Sequence, residues 1–524
     1  MLPEVRVVAE LVRDAGGRAL LVGGCVRDEL LGLEPKDFDI ECFGIAPDDL
    51  QRVLRPRFEL DLVGLSFGVI KLHHLDIDVA LPRRETKLGL GHRAFEMEYD
   101  PTLTVAEASA RRDFTVNAIY RDPLTDEILD PWNGRADLER KVLRHVSDHF
   151  REDPLRVLRG MQFVARFDLT PAPETVAVCR EMTPEGLPPE RLFEEWAKLL
   201  TKGVKISKGL SFLRDVGWTK YYPELERLIG CEQDPEWHPE GDVWNHTCCC
   251  LDAFAKMRDA VPAAPSLRGA DQPTLLPTPR SEGAAGTVRA GEDLIVGLAV
   301  LCHDFGKPAC TSYDPVKRRI RSLGHDEEGV APTLSFLRRL TNEERLLKEV
   351  PPLVRLHMRP FAMWRDKSSD GAIRRLAAKV VRIDRLLRVA AADAKGIGSN
   401  KVDLESLASA TSNPALKAAT PTLKDSSLTL GDPSQTLGDP NLTLKDPDLE
   451  PLRWLAEQAE RLRVADAAPK PIVQGRDLIA LGMKPGVEFG RILKAAYDAQ
   501  LDGAFFDLKG GIGYVKEGKW KNEK

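Results

Sequence analysis

The chain has 524 residues, 43% hydrophobic and 30% charged, an ordinary globular composition with room for about three domains at roughly 100–200 residues each. Its formal net charge of −6 gives no sign of a nucleic-acid binder, although such binding needs only a local basic face. No apolar run reaches about 18 residues, which excludes a helical membrane span.

The N-terminal MLPEVRVVAELVRDAGG carries acidic residues inside its apolar stretch and lacks a small-residue cleavage pattern, unlike a secretory signal. The nine cysteines are scattered apart from Cys248-Cys249-Cys250, with no CxxC pair for a zinc ribbon. Three adjacent cysteines cannot all pair at disulfide geometry, so reduced thiols in a cytoplasmic protein are expected.

In chain order, residues 4–14 read as a short amphipathic helix closed by Gly16-Gly17. ALLVGG is an apolar strand ending at glycines, CVRDELLG has helical spacing, and FDIECF alternates as a second strand around Asp39. VIKLHHLDIDVAL, residues 69–81, reads as a hairpin of two strands. From about residue 137 apolar residues recur at helical spacing, in DLERKVLRHV, EDPLRVLRGMQFVARF, PERLFEEWAKLLTKG and again at 245–258 and 294–305. Residues 261–291, rich in Pro, Ala, Gly and Ser, read as a flexible insertion. Residues 405–448 carry an imperfect repeat, LTLGDP, SQTLGDP, LTLKDP, far too short for a solenoid and expected as a low-complexity linker. The end of the chain offers a charged helix, EPLRWLAEQAERLRV, then two helices around a glycine-proline turn in RDLIALGMKPGVEFGRILKAAYDAQLDG.

Chemistry first shows itself in LLVGGCVRDELLGLEPKDFDIE. A strand ending at Gly23-Gly24 lets backbone approach a ligand, and Arg27 on the following turn can reach a triphosphate. Asp37 and Asp39 flank Phe38 and would share a strand face. Two carboxylates side by side repel unless a divalent cation lies between them, and Mg²⁺ takes oxygen ligands and shares them with phosphates. Two metal ions held this way can activate an attacking 3′ hydroxyl and stabilise the leaving pyrophosphate, commonly with a third acid. Asp78 is the preferred third acid, with Asp76 as the alternative.

This run resembles the catalytic core of the class II tRNA nucleotidyltransferase and bacterial poly(A) polymerase family. RRDFTVNAIY at 111–120 resembles the family's second motif, which implies that Arg112 and Asp113 bind nucleotide and ribose. DPWNGRADLERKVLRHV at 130–146 resembles the segment joining head to neck. EDPLRVLRGMQF at 152–163 resembles the nucleotide-selecting motif. That resemblance implies that Asp153 and Arg156 present hydrogen-bonding edges to the base and that Arg159 faces the triphosphate. A carboxylate accepts from an exocyclic amino group and a guanidinium donates in a planar fork, so one pair could select C and A without a template. Gln162 stands where the family often has a further arginine. PPERLFEEWAKLL at 188–200 resembles the next neck motif, with Arg191 and Glu194-Glu195 as packing and orienting residues.

A second constellation is spread over later helices: His246, His303-Asp304, His325, His357 and Asp393. Imidazoles and carboxylates from separate helices can converge on one divalent metal. The order resembles the HD metal-dependent phosphohydrolase superfamily. It implies His246, His303, Asp304 and Asp393 as ligands, with His325 and His357 in an outer or second-metal set and His238 as a further possibility.

The expected architecture is therefore α+β: a small α/β nucleotidyltransferase head (1–136), a mostly helical neck (137–228), an HD domain (229–400) with the 261–291 insertion, a linker (401–448) and a helical tail (449–524). The expected activity is template-independent addition of CCA to the tRNA 3′ end from CTP and ATP, with Mg²⁺ at the head. A second divalent metal, Mg²⁺, Mn²⁺, Ni²⁺ or Fe²⁺, is expected at the HD site. Stretch 84–104, in the place of the family's flexible loop, favours CCA over CC-only products, and SFGVIKLHHLDIDVALPRRE is less basic than the matching stretch of poly(A) polymerases. A-adding, CC-adding and poly(A) products, or a hydrolase with a nucleotide-sensing head, are the alternatives.

Overall fold

The computed structural model describes residues 2–61, 69–87, 95–260, 280–397 and 449–522. The repeat at 405–448 lies outside them. The chain divides into two compact units, Met1–Tyr221 and Tyr222–Lys524.

The first unit opens with helix α1 (Pro3–Asp14), whose Val5, Val8, Ala9 and Val12 are buried at the helical spacing of its sequence. Then come β1 (Arg18–Val22), α2 (Gly24–Leu30), β2 (Phe38–Phe43), α3 (Pro47–Leu54), β3 (Leu60–Asp61), β4 (Val69–Leu72) and β5 (Ile77–Ala80). The predicted 69–81 hairpin is present, as antiparallel β4 and β5. β6 (Arg83–Lys87) and β7 (Phe95–Tyr99) form a separate antiparallel hairpin within the expected loop at 84–104, of which 88–94 lie outside the described residues. α4 (Val105–Ser109) follows, begun by a capping box between Thr104 and Glu107. β8 (Tyr120–Arg121) and β9 (Ile128–Leu129) complete a seven-stranded sheet of order β3-β4-β5-β2-β1-β8-β9. β2 pairs with β1 antiparallel and with β5 parallel. The mixed register matters because it places residues from distant parts of the chain side by side.

The rest of this unit is mostly helical, with α5 (Gly134–Glu139), α6 (Leu155–Phe167), α7 (Pro173–Glu181), α8 (Pro189–Lys202) and α9 (Ile206–Asp215), besides a short parallel strand pair, Val142–Leu143 with Thr170–Pro171. α5 is pressed against the 111–120 segment. A Cβ at Gly134 would lie 2.1 Å from the Thr115 carbonyl oxygen, so only glycine fits there. Thr115 also donates its hydroxyl to Asp137 at 2.8 Å. DPWNGRADLE is thus the clamp that holds the RRD segment in place.

The chain leaves the first unit at Tyr221, ahead of the boundary expected at 228. The physical reason is local: Tyr222, Leu225 and Leu228 are buried, and Glu224 pairs with Arg339 at 2.8 Å and with Ser335 at 2.6 Å. Among its described residues, the second unit is helical apart from a short hairpin, Thr311–Asp314 with Arg319–Ser322. Helix Arg280–Cys302 takes in the last part of the stretch 261–291 that reads as flexible, and 261–279 lie outside the described residues. The tail has the expected helices, Glu450–Arg461, Gly475–Ala480 and Val487–Leu501.

Candidate active site

In the first unit, the chain turns between β1 and α2 at Gly23, whose φ of +84° favours glycine. A Cβ at Gly23 would lie 3.2 Å from Asp39 Oδ2 and 3.5 Å from an Arg112 amino group, so the turn abuts the acidic site. Gly24 opens α2. β2 begins at Phe38, which leaves Asp37 just ahead of the strand and not within it. Asp78 sits directly opposite Asp39 in the parallel β2–β5 pairing. Asp76 precedes β5, and its carbonyl accepts the Phe38 N–H at 2.9 Å.

The crowding has an electrostatic signature. The protein packed around Asp39 raises its pKa, and Asp78, Asp37 and Glu41 raise it further, against the opposing charge of Arg112. Buried Glu41 sits beneath, accepting from Tyr120 at 2.7 Å, from Arg112 at 3.3 Å and from Arg111 at 3.5 Å. Glu41 is a residue the sequence reading missed. It lies two residues beyond Asp39 on the same strand and holds both arginines of RRD.

Arg27 is buried. It donates to Asn117 at 2.7 Å and to Asp28 at 2.8 and 2.6 Å, and its guanidinium stacks 4.3 Å from the Phe167 ring centre. It therefore joins α2 to the RRD segment and to α6. Asp113 accepts from Arg159 at 2.8 and 2.5 Å, from Asn117 at 3.0 Å and from the Phe114 amide at 2.7 Å. Burial alone would raise the Asp113 pKa, but Arg159 and these donors hold it down at about 2.

At the start of α6, Asp153 accepts from Arg191 of α8 at 2.8 Å. Arg156 donates to the carbonyls of His149 and Arg111, both at 2.6 Å. Arg159, expected to face a triphosphate, is committed to Asp113. Gln162 is buried and accepts from Arg166 at 3.1 Å, so this position faces the helix packing.

In the second unit, helix Val243–Ala260 carries His246, the turn after helix Arg280–Cys302 carries His303 and Asp304, and helix Ile383–Gly396 carries Asp393. The structure brings all four together. His246 Nε2 lies 3.0 Å from Asp393, 3.6 Å from Asp304 and 3.4 Å from His303 Nε2. His325 Nε2 lies 3.5 Å from Asp304 and 3.4 Å from His357 Nε2. His303, His325 and His357 each set Nδ1 against the carbonyl three residues back, at 2.8, 2.7 and 2.6 Å. That contact fixes the tautomer and turns Nε2 inward, the arrangement a metal-binding imidazole requires. His246 sets its own Nδ1 against buried Glu240 at 2.7 Å, and Glu240 also meets His238 at 2.9 Å. His238 thus lies behind His246, across a shared carboxylate. Lys307 sits 2.7 Å from Asp304.

Burial lowers the pKa values of His246 and His303, but the groups facing them prevail. His246 is raised well above its ordinary value by Cys250, Asp393 and Glu240, and His303 to about 10 by Asp304 and Cys250. His357 goes the other way, to about 4, through burial and the neighbouring His303. Glu240, Lys307 and Cys250 were not expected from sequence. Lys307 follows Asp304 by three residues and Cys250 follows His246 by four on one helix, both readable signals, whereas Glu240 joins the site through packing.

Residues 19–144 match the poly A polymerase head domain. Over 326 residues, 61% of this chain and 69% of the relative, the chain is 36% identical to the multifunctional CCA protein of Chromobacterium violaceum. Over 397 residues, 73% and 86% of the two chains, it is 34% identical to the multifunctional CCA protein of Xanthomonas oryzae pv. oryzae. In fold it is similar to the Bacillus stearothermophilus CCA-adding enzyme solved with CTP, with a TM-score of 0.58 at 20% identity and 100% of both chains covered. No helix among the described residues is long and apolar enough to cross a membrane. Kinship over this length, together with the aspartate-bearing head, makes the chain a member of the multifunctional CCA protein family of nucleotidyltransferases.

Proposed function

We propose that the chain adds CCA to the 3′ end of tRNA from CTP and ATP in the cytoplasm, at a site built on Asp37, Asp39 and Asp78. The observation that carries this reading is the pairing of Asp39 with Asp78 on parallel strands beside the Gly23 turn and Arg112. This all-carboxylate donor set, crowded enough to raise the Asp39 pKa, fits a hard divalent cation such as Mg²⁺. When bound, that cation would lower the barrier to attack by the tRNA 3′ hydroxyl and stabilise leaving pyrophosphate.

The chain's own residues bind and orient. Gly23 and Gly24 leave room for the triphosphate against the backbone, and Arg112 supplies positive charge beside Asp39. Arg27 and the Asp113–Arg159 pair fix the RRD segment against α6. Asp153 accepts the exocyclic amino group shared by C and A. Arg156 donates beside it, since only two of its five N–H groups are engaged by the two carbonyls. The tRNA is held through phosphates and shape.

A second activity is favoured by the helical cluster. His246, His303, Asp304 and Asp393, with His325 and His357 beside them, form a divalent-metal phosphohydrolase centre. Its fit to a metal rests on the inward Nε2 atoms and on their backbone-fixed tautomers.

The test uses purified protein, Mg²⁺, CTP and ATP, with tRNA transcripts ending before C74, after C75 and after A76. Growth of the shortest transcript by C, C and A, followed by a stop, is expected. Open-ended A tails, single-nucleotide addition or no incorporation would overturn the reading.

A further inference from the structure

One group at the helical centre is not used by the phosphohydrolase reading. Cys250 lies one helical turn beyond His246 and is fully buried. Its Sγ is 3.4 Å from His246 Nε2 and 3.8 Å from the Asp393 carbonyl oxygen. Together His246, Cys250, His303 and Asp393 offer four ligand atoms that all lie within 4.8 Å of one another. Cys248 and Cys249 are buried too, but they fall outside this group.

A second observation points to a ligand at the same place. Asp304 is 1% exposed, and neither of its carboxylate oxygens makes a hydrogen bond of acceptable geometry, although the Lys307 ammonium lies 2.7 Å away as a counter-charge. That carboxylate faces the cluster, 3.2 Å from His303 Nε2 and 3.6 Å from His246 Nε2. Packing also makes room for the sulfur. Gly396 lies on the helix that carries Asp393, and a Cβ there would come within 2.4 Å of Cys250 Sγ. Any larger residue at 396 would displace the thiol from the centre.

We propose that Cys250 is a ligand of the helical metal centre, and that the centre takes a borderline-soft divalent cation, zinc foremost, in preference to Mg²⁺. The proposal rests on the reading of this cluster as a metal centre. Its chemistry is that of the donors. Imidazole and thiolate bind zinc and cobalt well, whereas Mg²⁺ takes oxygen and sheds its waters reluctantly. On binding, the thiol gives up its proton to solvent and the sulfur becomes an anionic ligand, so charge balances with one proton released.

The experiment strips the full chain of metal and titrates it with Co²⁺, in an Asp39→Asn background that weakens cation binding at the head. Expected are visible cobalt bands together with a near-ultraviolet sulfur-to-cobalt charge-transfer band that a large excess of Mg²⁺ does not remove. Cys250→Ser and Cys250→Ala should lose the near-ultraviolet band and keep the visible ones. Their zinc affinity should fall by at least about tenfold, the lower end of what even outer-shell losses cost. Identical spectra for the parent protein and Cys250→Ser would overturn the role of Cys250 and leave the metal centre standing. Visible bands that are absent, or unchanged by His246→Ala, would overturn the metal-centre reading itself.

Discussion

Asp39 and Asp78 stand opposite each other on parallel strands β2 and β5, with Lys71 of the neighbouring β4 3.4 Å from Asp78. Asp76, two residues earlier, lies in the turn and contributes its carbonyl to the backbone of Phe38. Asp39→Asn and Asp78→Asn should therefore each slow nucleotide addition by at least about a hundredfold, because each removes a carboxylate worth several kcal/mol of charge stabilisation. Asp76→Asn should remain within a few-fold of the parent. Single-turnover extension of a tRNA lacking CCA separates the cases. Equal losses at 76 and 78 would remove Asp78 from the site.

The Asp113–Arg159 pair should show itself in the pH dependence of stability. The Asp113 pKa falls from 3.8 in the unfolded chain to about 2 in the folded one. A depressed carboxylate stabilises the fold above the unfolded value, and that contribution is lost as pH falls through 3.8 towards 2. The shift corresponds to about 2 kcal/mol. Arg159→Ala leaves the buried carboxylate short of its cation and should cost about 2–3 kcal/mol at pH 7. The mutant deficit should shrink between pH 4 and pH 2 in denaturant titrations of the first unit's transition. A deficit independent of pH would mean that lost packing, and not charge, explains the cost.

Local pattern made much of this architecture legible. The alternation in FDIECF and the spacing in EDPLRVLRGMQF correspond to β2 and α6, because period 2 and period 3.6 report directly on one buried face. Asp78 could be preferred over Asp76 only by its flanking residues, since the decisive fact is a strand pairing between segments forty residues apart in sequence. Asp37 reads as part of a strand but stands just before it. Glu41 reads as an ordinary alternating position, although it anchors Arg111, Arg112 and Tyr120. In the helical centre, the His and Asp order could be read from the residue types. Glu240 could not, because its role arises only where the turn ahead of the helix packs its carboxylate against His246, whereas Lys307 and Cys250 left local traces, three residues from Asp304 and four from His246.

The two centres draw on separate residues and should fail separately. His246→Ala removes an imidazole whose Nε2 lies among Asp393, Asp304 and His303, and should abolish metal-dependent hydrolysis of phosphoesters such as a 2′,3′-cyclic phosphate. It should leave CCA addition unchanged. Asp39→Asn should give the reverse pattern. Parallel assays of both proteins decide this, and loss of both activities in either variant would join the centres functionally.

Gly23 and Gly24 separate the needs of the fold from those of the nucleotide. Gly23 holds φ at +84°, a region that costs an L-residue about 1–3 kcal/mol. A methyl group there would also press on Asp39 Oδ2 at 3.2 Å and lie 3.5 Å from Arg112. Gly23→Ala should therefore lower stability by about that amount and reduce kcat, because it moves a carboxylate of the proposed site. At Gly24 the backbone is ordinary helix, and the nearest neighbour of an added Cβ is an Arg27 amino group at 3.6 Å, a normal contact. Gly24→Ala should leave stability within about 0.5 kcal/mol, as for a surface substitution away from special backbone geometry. If the triphosphate lies against this turn, the added methyl should nevertheless raise KM for CTP and ATP several-fold. An unchanged KM in a stable Gly24→Ala protein would move the triphosphate away from the turn, towards Arg112.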